Sequence, residues 1–161
     1  MIRKLEKKDA ERMLEWMHDE EISCNFSVDF KNYSLEQVIS FIENSFDEKN
    51  QHFAITDEKD VYQGTISLKN ISYLDCNAEY AIVLRSDALG KGYSQKATRE
   101  ILEYAFNSLK LNKVYLNVLE INIRARRFYE KVGFKSEGVF LRHSYIQNEF
   151  HNLCWYAIFR K

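Results

Sequence analysis

Apolar residues in the first third of the chain recur at intervals of three and four positions, which is the spacing of an amphipathic helix. One such stripe follows Asp9, which we expect to cap its helix. A second begins at Ser34, and Gln37 three residues later completes the sequence of a capping box. Residues 2–5, ahead of both, are expected to form a short strand. The pattern therefore predicts a strand and two helices at the start of the chain.

The rest of the chain alternates between strand-like and helix-like patterns. The predicted strands are residues 52–56, 61–68, 78–84, 113–119 and 153–160, and the predicted helices are residues 94–109 and 123–132. The run at 113–119 places Val114, Leu116 and Val118 on one side and Tyr115, Asn117 and Leu119 on the other, which is typical of a central strand with both faces covered. This order predicts an α/β fold, an α+β mixed sheet with helices on both faces. The strands that flank the long helix are expected to run parallel.

Composition supports one packed domain over residues 1–161 and excludes several classes of protein. Of the 161 residues, 45% are hydrophobic and none is proline. The five glycines are wrongly spaced for a Rossmann dinucleotide fingerprint or a Walker A loop. The three cysteines form no CxxC pair, so neither a disulfide framework nor a cysteine zinc site is expected. We expect a cytoplasmic protein without a membrane span, because the first residues are too polar for a signal peptide and no apolar run approaches about 18 residues.

Charge is unevenly divided along the chain. Residues 1–60 contain 8 Lys or Arg and 15 Asp or Glu, whereas residues 61–161 contain 15 and 9. An acidic part joined to a basic part suggests one cationic and one anionic ligand. No partnership with nucleic acid is expected, because that would need a basic excess across a whole binding face.

Two motifs can carry chemistry. Gly90-Lys91-Gly92 lies between a predicted strand and a predicted helix, where glycines allow several N–H groups to point toward one anion. The alternative is a tight turn that uses glycine for its geometry alone.

The second motif places Asn122, Ala125 and Tyr129 on one helix face ahead of a Gly-Phe pair. The alternative for Tyr129 is an ordinary core aromatic, one of ten tyrosines.

Together the motifs and the order of elements resemble the GNAT superfamily of acyl-CoA-dependent N-acetyltransferases, over essentially the whole chain. "GKGYS" looks like its pyrophosphate loop, and "NIRARRFYEKVGF" looks like its N-x-x-A…Y…GF helix. "LEWMHDEEIS" and "AEYAIVL" are similar to the branch of spermidine, ribosomal-protein alanine and amino-sugar acetyltransferases. Asp87 departs from the usual Gln or Arg, and its charge has the wrong sign for phosphate. We therefore expect its side chain to face away and the backbone amides to bind the phosphate.

The resemblance implies a β-α-α-β-β-β-α-β-α-β-β order, a splayed central sheet, acetyl-CoA as the acyl donor and no metal. The implied contacts to acetyl-CoA are backbone groups of Ile82, Val83 and Leu84 for pantetheine, amides of Leu89, Gly90, Lys91, Gly92, Tyr93 and Ser94 for pyrophosphate, and Asn122 for the pantetheine arm. Arg124 or Arg127 would reach a phosphate, unless that helix face is merely solvated.

The resemblance also assigns the catalytic groups. Tyr129 occupies the position of the acid that protonates the departing thiolate, because a tyrosine with a pKa near 10 still holds its proton at pH 7. Glu79 would accept the proton of the amine, directly or through water, or attract a cationic amine; the alternative is a solvated carboxylate at a strand end. His143 is a further candidate base, or simply a surface histidine.

The acceptor pocket of the family implies a role for residues from the early helices, their loop and the late hairpin. The candidates are Trp16, Asn25, Phe26, Tyr33 and His143. The expected reaction is direct attack on acetyl-CoA, in a ternary complex, by the primary amine of a polyamine, an amino sugar or a protein N-terminus. Homodimers are common in the family. Two alternatives stay open, namely a non-catalytic acyl-CoA-binding module and an α/β domain with no CoA site.

Overall fold

The computed structural model of the chain describes residues 1–26 and 28–161. Its strands are β1 (Ile2–Lys4), β2 (Gln51–Thr56), β3 (Tyr62–Ser72), β4 (Asn77–Leu84), β5 (Lys113–Leu119), β6 (Lys135–Ile146) and β7 (Glu149–Phe159). Its α-helices are α1 (Ala10–His18), α2 (Glu20–Ser23), α3 (Leu35–Glu43), α4 (Tyr93–Glu103) and α5 (Ile123–Lys131). None of these helices is long and apolar enough to cross a membrane.

The strands described here form one sheet, in the order β1-β2-β3-β4-β5-β7-β6. Strands β4 and β5, which flank α4, run parallel, and their neighbours pair antiparallel. The predicted mixed sheet and its parallel pair are therefore confirmed. In the described residues β4 and β5 pair only from Asn77 to Glu79, opposite Lys113 to Tyr115. Beyond Glu79 the two strands separate, so a gap opens toward their carboxyl ends.

Two hydrophobic cores lie on the two faces of this sheet. Helices α4 and α5 pack on one face, where Ile101 and Leu116 are almost completely buried. Helices α1 and α3 pack on the other face over β2 and β3, where Met13 and Val38 are fully buried. Alternate residues of each strand point to opposite faces, so the side chains of β4 are divided between the two cores. Tyr80 belongs to the first core and Val83 to the second.

The capping predictions have different outcomes. The capping box at α3 is confirmed, because the Ser34 Oγ accepts from the Gln37 amide at 3.3 Å and the Gln37 Oε1 accepts from the Ser34 amide at 2.8 Å. The prediction for Asp9 is wrong: among the described residues its side chain caps no amide of α1. Its carboxylate instead binds the Arg3 guanidinium at 2.7 and 2.8 Å and the Glu6 amide at 2.9 Å. A 3₁₀ turn precedes α1 and redirects this side chain toward β1.

Three other details depart from the sequence pattern. The helix predicted to reach residue 109 changes at Tyr104 into a π turn, in which the Leu109 amide donates to the Tyr104 carbonyl at 3.1 Å. The short helix α2 follows α1 without having been predicted. The prediction that both faces of β5 are covered is wrong for one face: Tyr115 and Asn117 are only half-buried. Helices α1 and α3 cover β2 and β3, and this leaves the same face of β5 open.

Candidate active site

The separation of β4 from β5 frees one edge of β4. Ile82, Val83 and Leu84 pair with β3 on their other side. Within the described residues, pairing with β5 stops at Glu79. The main-chain groups of 82–84 that face β5 are therefore available to an extended ligand. Gly64 lets β3 approach this segment closely, because a Cβ at that position would clash with the Val83 carbonyl oxygen.

The turn from β4 to α4 presents N–H groups at the open end of this gap. Gly90 and Gly92 have left-handed backbone angles, with φ of 78° and 83°. In the part of the chain that the structure describes, the amides of Gly90, Lys91 and Gly92 donate to no acceptor, and no side chain caps α4. A Cβ on either glycine would meet nothing within 4 Å among those residues. The turn is an open concavity at the positive end of a helix, which suits an anion.

Two residues just before the glycines, Leu89 and Asp87, bear on the expected binding of pyrophosphate. The Leu89 amide, one of the six assigned to pyrophosphate, donates instead to the Ser86 carbonyl at 3.3 Å. The Asp87 carboxylate is exposed and lies 3.4 Å from the Arg85 guanidinium, which also binds Glu15 at 2.7 Å. The negative charge of Asp87 is thereby offset by Arg85, and the amides from Gly90 onward are the ones free to bind an anion.

Tyr129 lies beside the point where the two strands separate. Its ring packs edge-on against Tyr80, the first residue of β4 beyond the last pair, with centroids 6.0 Å apart. Phe128 and Phe134 complete its surroundings. Burial raises the pKa of Tyr129 to about 12. Its hydroxyl forms no hydrogen bond with any residue that the structure describes. The side chain therefore holds a proton that it can donate near pH 7.

Glu79 occupies the last paired position of β4, on the sheet face opposite Tyr129. Its carboxylate accepts from the Lys69 ammonium at 2.9 Å and from the Asn70 amide group at 2.8 Å. Tyr115 lies directly opposite on β5, and burial, together with the charge of Glu79, raises the pKa of the Tyr115 hydroxyl. A carboxylate has about four acceptor sites. Two contacts leave room for an amine or a water molecule.

The residues of α5 that were assigned to acetyl-CoA have distinct surroundings. The Asn122 Oδ1 caps the helix by accepting from the Ala125 amide at 3.1 Å. Its Nδ2 lies 3.4 Å from the Asn25 Oδ1 in the loop after α2. Arg124 and Arg127 are exposed on the helix surface. The cap orients Asn122, whereas the two arginines extend into solvent.

The aromatic residues assigned to the acceptor are mostly parts of the core. The Trp16 indole is buried and donates to the Tyr62 hydroxyl at 3.0 Å. Phe26 and Phe30 pack on Trp16, and Tyr33 packs on Phe30, with centroids 5.2–5.7 Å apart. Trp16 and Tyr33 therefore hold the loop between α1 and α3 in place, and Phe26 reaches the cavity beyond it.

That cavity, of about 550 Å³, lies between the loop after α2 and the tip of the β6–β7 hairpin. Its acidic lining residues are Glu20, Glu21 and Asp29, and its aromatic lining residues are Phe26, Phe30 and Tyr145. The sequence analysis missed Phe30 and Tyr145; for Phe30 the available signal was an aromatic residue directly after Asp29, in "VDFKNY". His143 is exposed on β6, 5.2 Å from the Phe140 ring. Within residues 1–26 and 28–161, no group of three His, Cys, Asp or Glu side chains is arranged to hold a metal ion.

The chain is similar in sequence to several acetyltransferases. Spermidine N(1)-acetyltransferase of Vibrio cholerae is 29% identical over 107 residues, 66% of this chain and 62% of that protein. The Escherichia coli K12 protein of the same name is 31% identical over 97 residues, 60% and 52% of the two chains. A putative ribosomal N-acetyltransferase, YdaF of Bacillus subtilis, is 31% identical over 98 residues, which are 61% of this chain and 54% of that protein. The matches thus span about half to three fifths of the length of these relatives.

The fold is that of a solved acetyltransferase. The crystal structure of spermidine N-acetyltransferase from Vibrio cholerae in complex with CoA and spermine superimposes with a TM-score of 0.90. The superposition covers 99% of this chain and 94% of the other, at 24% identity. The family model described as an acetyltransferase (GNAT) domain matches residues 1–135. This chain therefore belongs to the GNAT acetyltransferase family.

Proposed function

We propose that this protein transfers the acetyl group of acetyl-CoA to a primary amine of a linear polyamine, by direct attack in a ternary complex. The observation that carries the proposal is the gap between β4 and β5, with the open amide turn at its end and Tyr129 beside it. The family and the names of the relatives support it.

Acetyl-CoA fits the free groups of this region. The pantetheine chain would pair with the open edge of β4 at 82–84, as an additional strand would. The pyrophosphate would accept from the amides of Gly90 to Ser94, where the missing Cβ atoms leave space. Acetyl-CoA supplies the thioester, whose carbonyl carbon is the site of attack. A main-chain N–H near Val83 would stabilise the negative charge that develops on the thioester oxygen.

Glu79 is proposed to take the proton of the attacking amine. An amine with a pKa near 10.4 is about 3.4 units from neutral at pH 7, and deprotonating it costs roughly 4.6 kcal/mol. The free acceptor sites of the Glu79 carboxylate would bind the ammonium, directly or through water, and draw off its proton. Lys69 and Asn70 fix the position of that carboxylate.

Tyr129 is proposed to donate a proton to the departing thiolate. The two groups lie on opposite faces of the sheet, with the gap between them. An amine on the Glu79 side would then attack a thioester whose sulfur leaves toward Tyr129. The amine would thus lose its proton on the Glu79 side of the sheet, and the sulfur would gain a proton on the Tyr129 side. No covalent enzyme intermediate is needed.

The charge of the protein favours a cationic acceptor. Residues 1–60 carry the acidic excess. The cavity beside the β6–β7 hairpin is lined by three carboxylates, Glu20, Glu21 and Asp29, and by one ammonium, that of Lys31, which pairs with Glu20 at 3.0 Å. Carboxylates beside aromatic rings attract ammonium groups and the methylene chains that link them. An anionic nucleotide-sugar would be repelled by the same surface.

One observation favours a second candidate, a non-catalytic acyl-CoA-binding module. The ion pair of Glu79 with Lys69 neutralises the carboxylate that the reaction needs as a base. An acceptor screen separates the two functions: CoA release is measured with spermidine, glucosamine and a peptide with a free N-terminus. We expect turnover with spermidine to exceed the other two. Binding of acetyl-CoA by calorimetry, without CoA release for any amine, would establish the binding module instead.

A further inference from the structure

Three aromatic side chains lie in a row across the sheet face that α1 and α3 leave open. This aromatic row consists of Tyr115 on β5, Trp155 on β7 and Phe140 on β6. The Tyr115 and Trp155 ring centroids are 6.1 Å apart, and those of Trp155 and Phe140 are 5.1 Å apart. Phe140 is 49% exposed, and Tyr115 and Trp155 are half-buried. The row is therefore a strip of accessible ring surface rather than part of either core.

The row runs from one candidate catalytic residue to another candidate site residue. At its β5 end, Tyr115 lies opposite Glu79 in the register of the parallel pair. At its β6 end, the Phe140 ring is 5.2 Å from His143. Residues that face each other in neighbouring strands share a face, which places the Glu79 carboxylate at the start of the row. An acceptor whose reactive amine is at Glu79 thus has the three rings in line beside it.

We propose that the aromatic row binds the carbon chain of a linear polyamine acceptor and that Trp155 determines the specificity for it. This inference rests on the function proposed above. Tryptophan attracts ammonium groups more strongly than phenylalanine or tyrosine does, and its ring surface also covers methylene groups. Rings spaced by 5–6 Å across three strands suit an extended chain. A compact amino sugar at Glu79 would contact the first ring and extend no further along the row.

A purely structural role does not explain why position 155 holds tryptophan rather than phenylalanine. Its indole Nε1 is buried without a hydrogen-bond partner in the described residues. A buried donor without an acceptor is unfavourable, and phenylalanine would fill most of the same space without one. A structural role therefore predicts that Trp155→Phe keeps or raises the melting temperature and leaves acceptor kinetics unchanged.

The test compares Trp155→Leu and Trp155→Phe with Phe159→Leu. Phe159 is an exposed aromatic on the same strand and face as Trp155, at the far end next to Lys113. We expect Trp155→Leu to raise KM for spermidine by about 3- to 30-fold, with an intermediate effect for Trp155→Phe. The KM for glucosamine and for acetyl-CoA should stay within about twofold, as should every value for Phe159→Leu. Equal changes for both amines, or no change, would overturn the proposal.

Two further measurements separate this proposal from the proposed function. The chain has two tryptophans, and Trp16 is buried in the core beneath α1 and α3. Spermidine bound on the row should therefore quench the fluorescence of the wild type and not that of Trp155→Phe. Quenching without CoA release would support the row and refute the enzyme. Absence of quenching would refute the row even where CoA is released. A change in molecular mass on Trp155→Leu, measured by light scattering, would instead identify the row as a contact between copies of the chain and overturn the proposal.

Discussion

Burial alone raises the pKa of Tyr129, which suits the acid role proposed for it. Its ring is enclosed by Tyr80, Phe128 and Phe134, and the loss of water around the hydroxyl raises its pKa to about 12. The neutral form is thereby favoured well above neutral pH. A thiolate leaving in this apolar setting would meet a hydroxyl that no residue in the described chain binds.

We expect Tyr129→Phe to lower kcat by about 100-fold or more, since a positioned general acid contributes about 10²–10⁴-fold. The KM for acetyl-CoA and the free energy of unfolding should change little, because the hydroxyl has no partner to lose among the described residues. Steady-state kinetics and thermal unfolding measure both quantities.

Tyr80→Phe is the matched control. It removes the hydrogen bond from Tyr80 to the Thr98 hydroxyl, 2.7 Å long, and should cost about 1 kcal/mol of stability. Its kcat should remain within a few-fold of the wild type. A Tyr129→Phe enzyme as active as Tyr80→Phe would remove Tyr129 from the mechanism.

Single residues were predictable from sequence where a local motif fixes them. Tyr129 and Asn122 stand at set positions of one helix, and the spacing alone places them on one face. The partners of Glu79 were not predictable, because Lys69 and Asn70 reach it only through the register of β3 with β4. Trp155 and Phe140 meet for the same reason, across two antiparallel strands.

At the scale of elements, the helix boundaries show which signals are local. The capping box of α3 involves two side chains three positions apart, Ser34 and Gln37, and it forms as the sequence predicts. Asp9 has only the cap residue and no Glu or Gln three positions later, and its carboxylate binds Arg3, a partner that only the folded chain provides. The π turn at Tyr104–Ser108 likewise follows tertiary contact: the Tyr104 hydroxyl reaches Gln51 on β2 at 3.0 Å.

For the protein as a whole, the pattern of apolar positions predicted the mixed sheet and its parallel pair of strands. It did not predict which strands the helices cover on each face of the sheet. The sequence of β5 shows the same pattern whether its second face is covered by a helix or exposed to solvent, as long as the residues on that face are large and partly apolar. Tyr115 satisfies both conditions. The open face, and the aromatic row on it, therefore required the packed structure.

His52 gives the stability of the whole fold a dependence on pH. Burial lowers the pKa of His52 from 6.5 to about 4, with a smaller effect from Lys69. Between these two values the unfolded chain binds the proton and the folded chain does not, so the contribution of His52 to stability is present above pH 6.5 and decreases as the pH falls toward 4. The loss from pH 7 to pH 5 is about 2 kcal/mol.

We expect His52→Gln to lose about 2 kcal/mol less than the wild type between pH 7 and pH 5, since glutamine takes up no proton. Denaturant unfolding at the two pH values measures the difference for each protein. His143→Gln, at an exposed histidine, is the control and should behave as the wild type does. If His52→Gln retains the full pH dependence, then other groups are its source.

The amides at the start of α4 are proposed to bind the diphosphate of acetyl-CoA beside the open edge of β4. Hydrogen–deuterium exchange with and without CoA measures this directly, because the amides of Gly90, Lys91 and Gly92 have no acceptor in the described chain. We expect CoA to slow exchange in residues 90–94 and in 82–84, and to leave the β3–β4 turn at 73–76, at the other end of β4, unchanged. A chain that binds CoA, as shown by a rise in melting temperature, while residues 90–94 exchange as fast as before would contradict the claim.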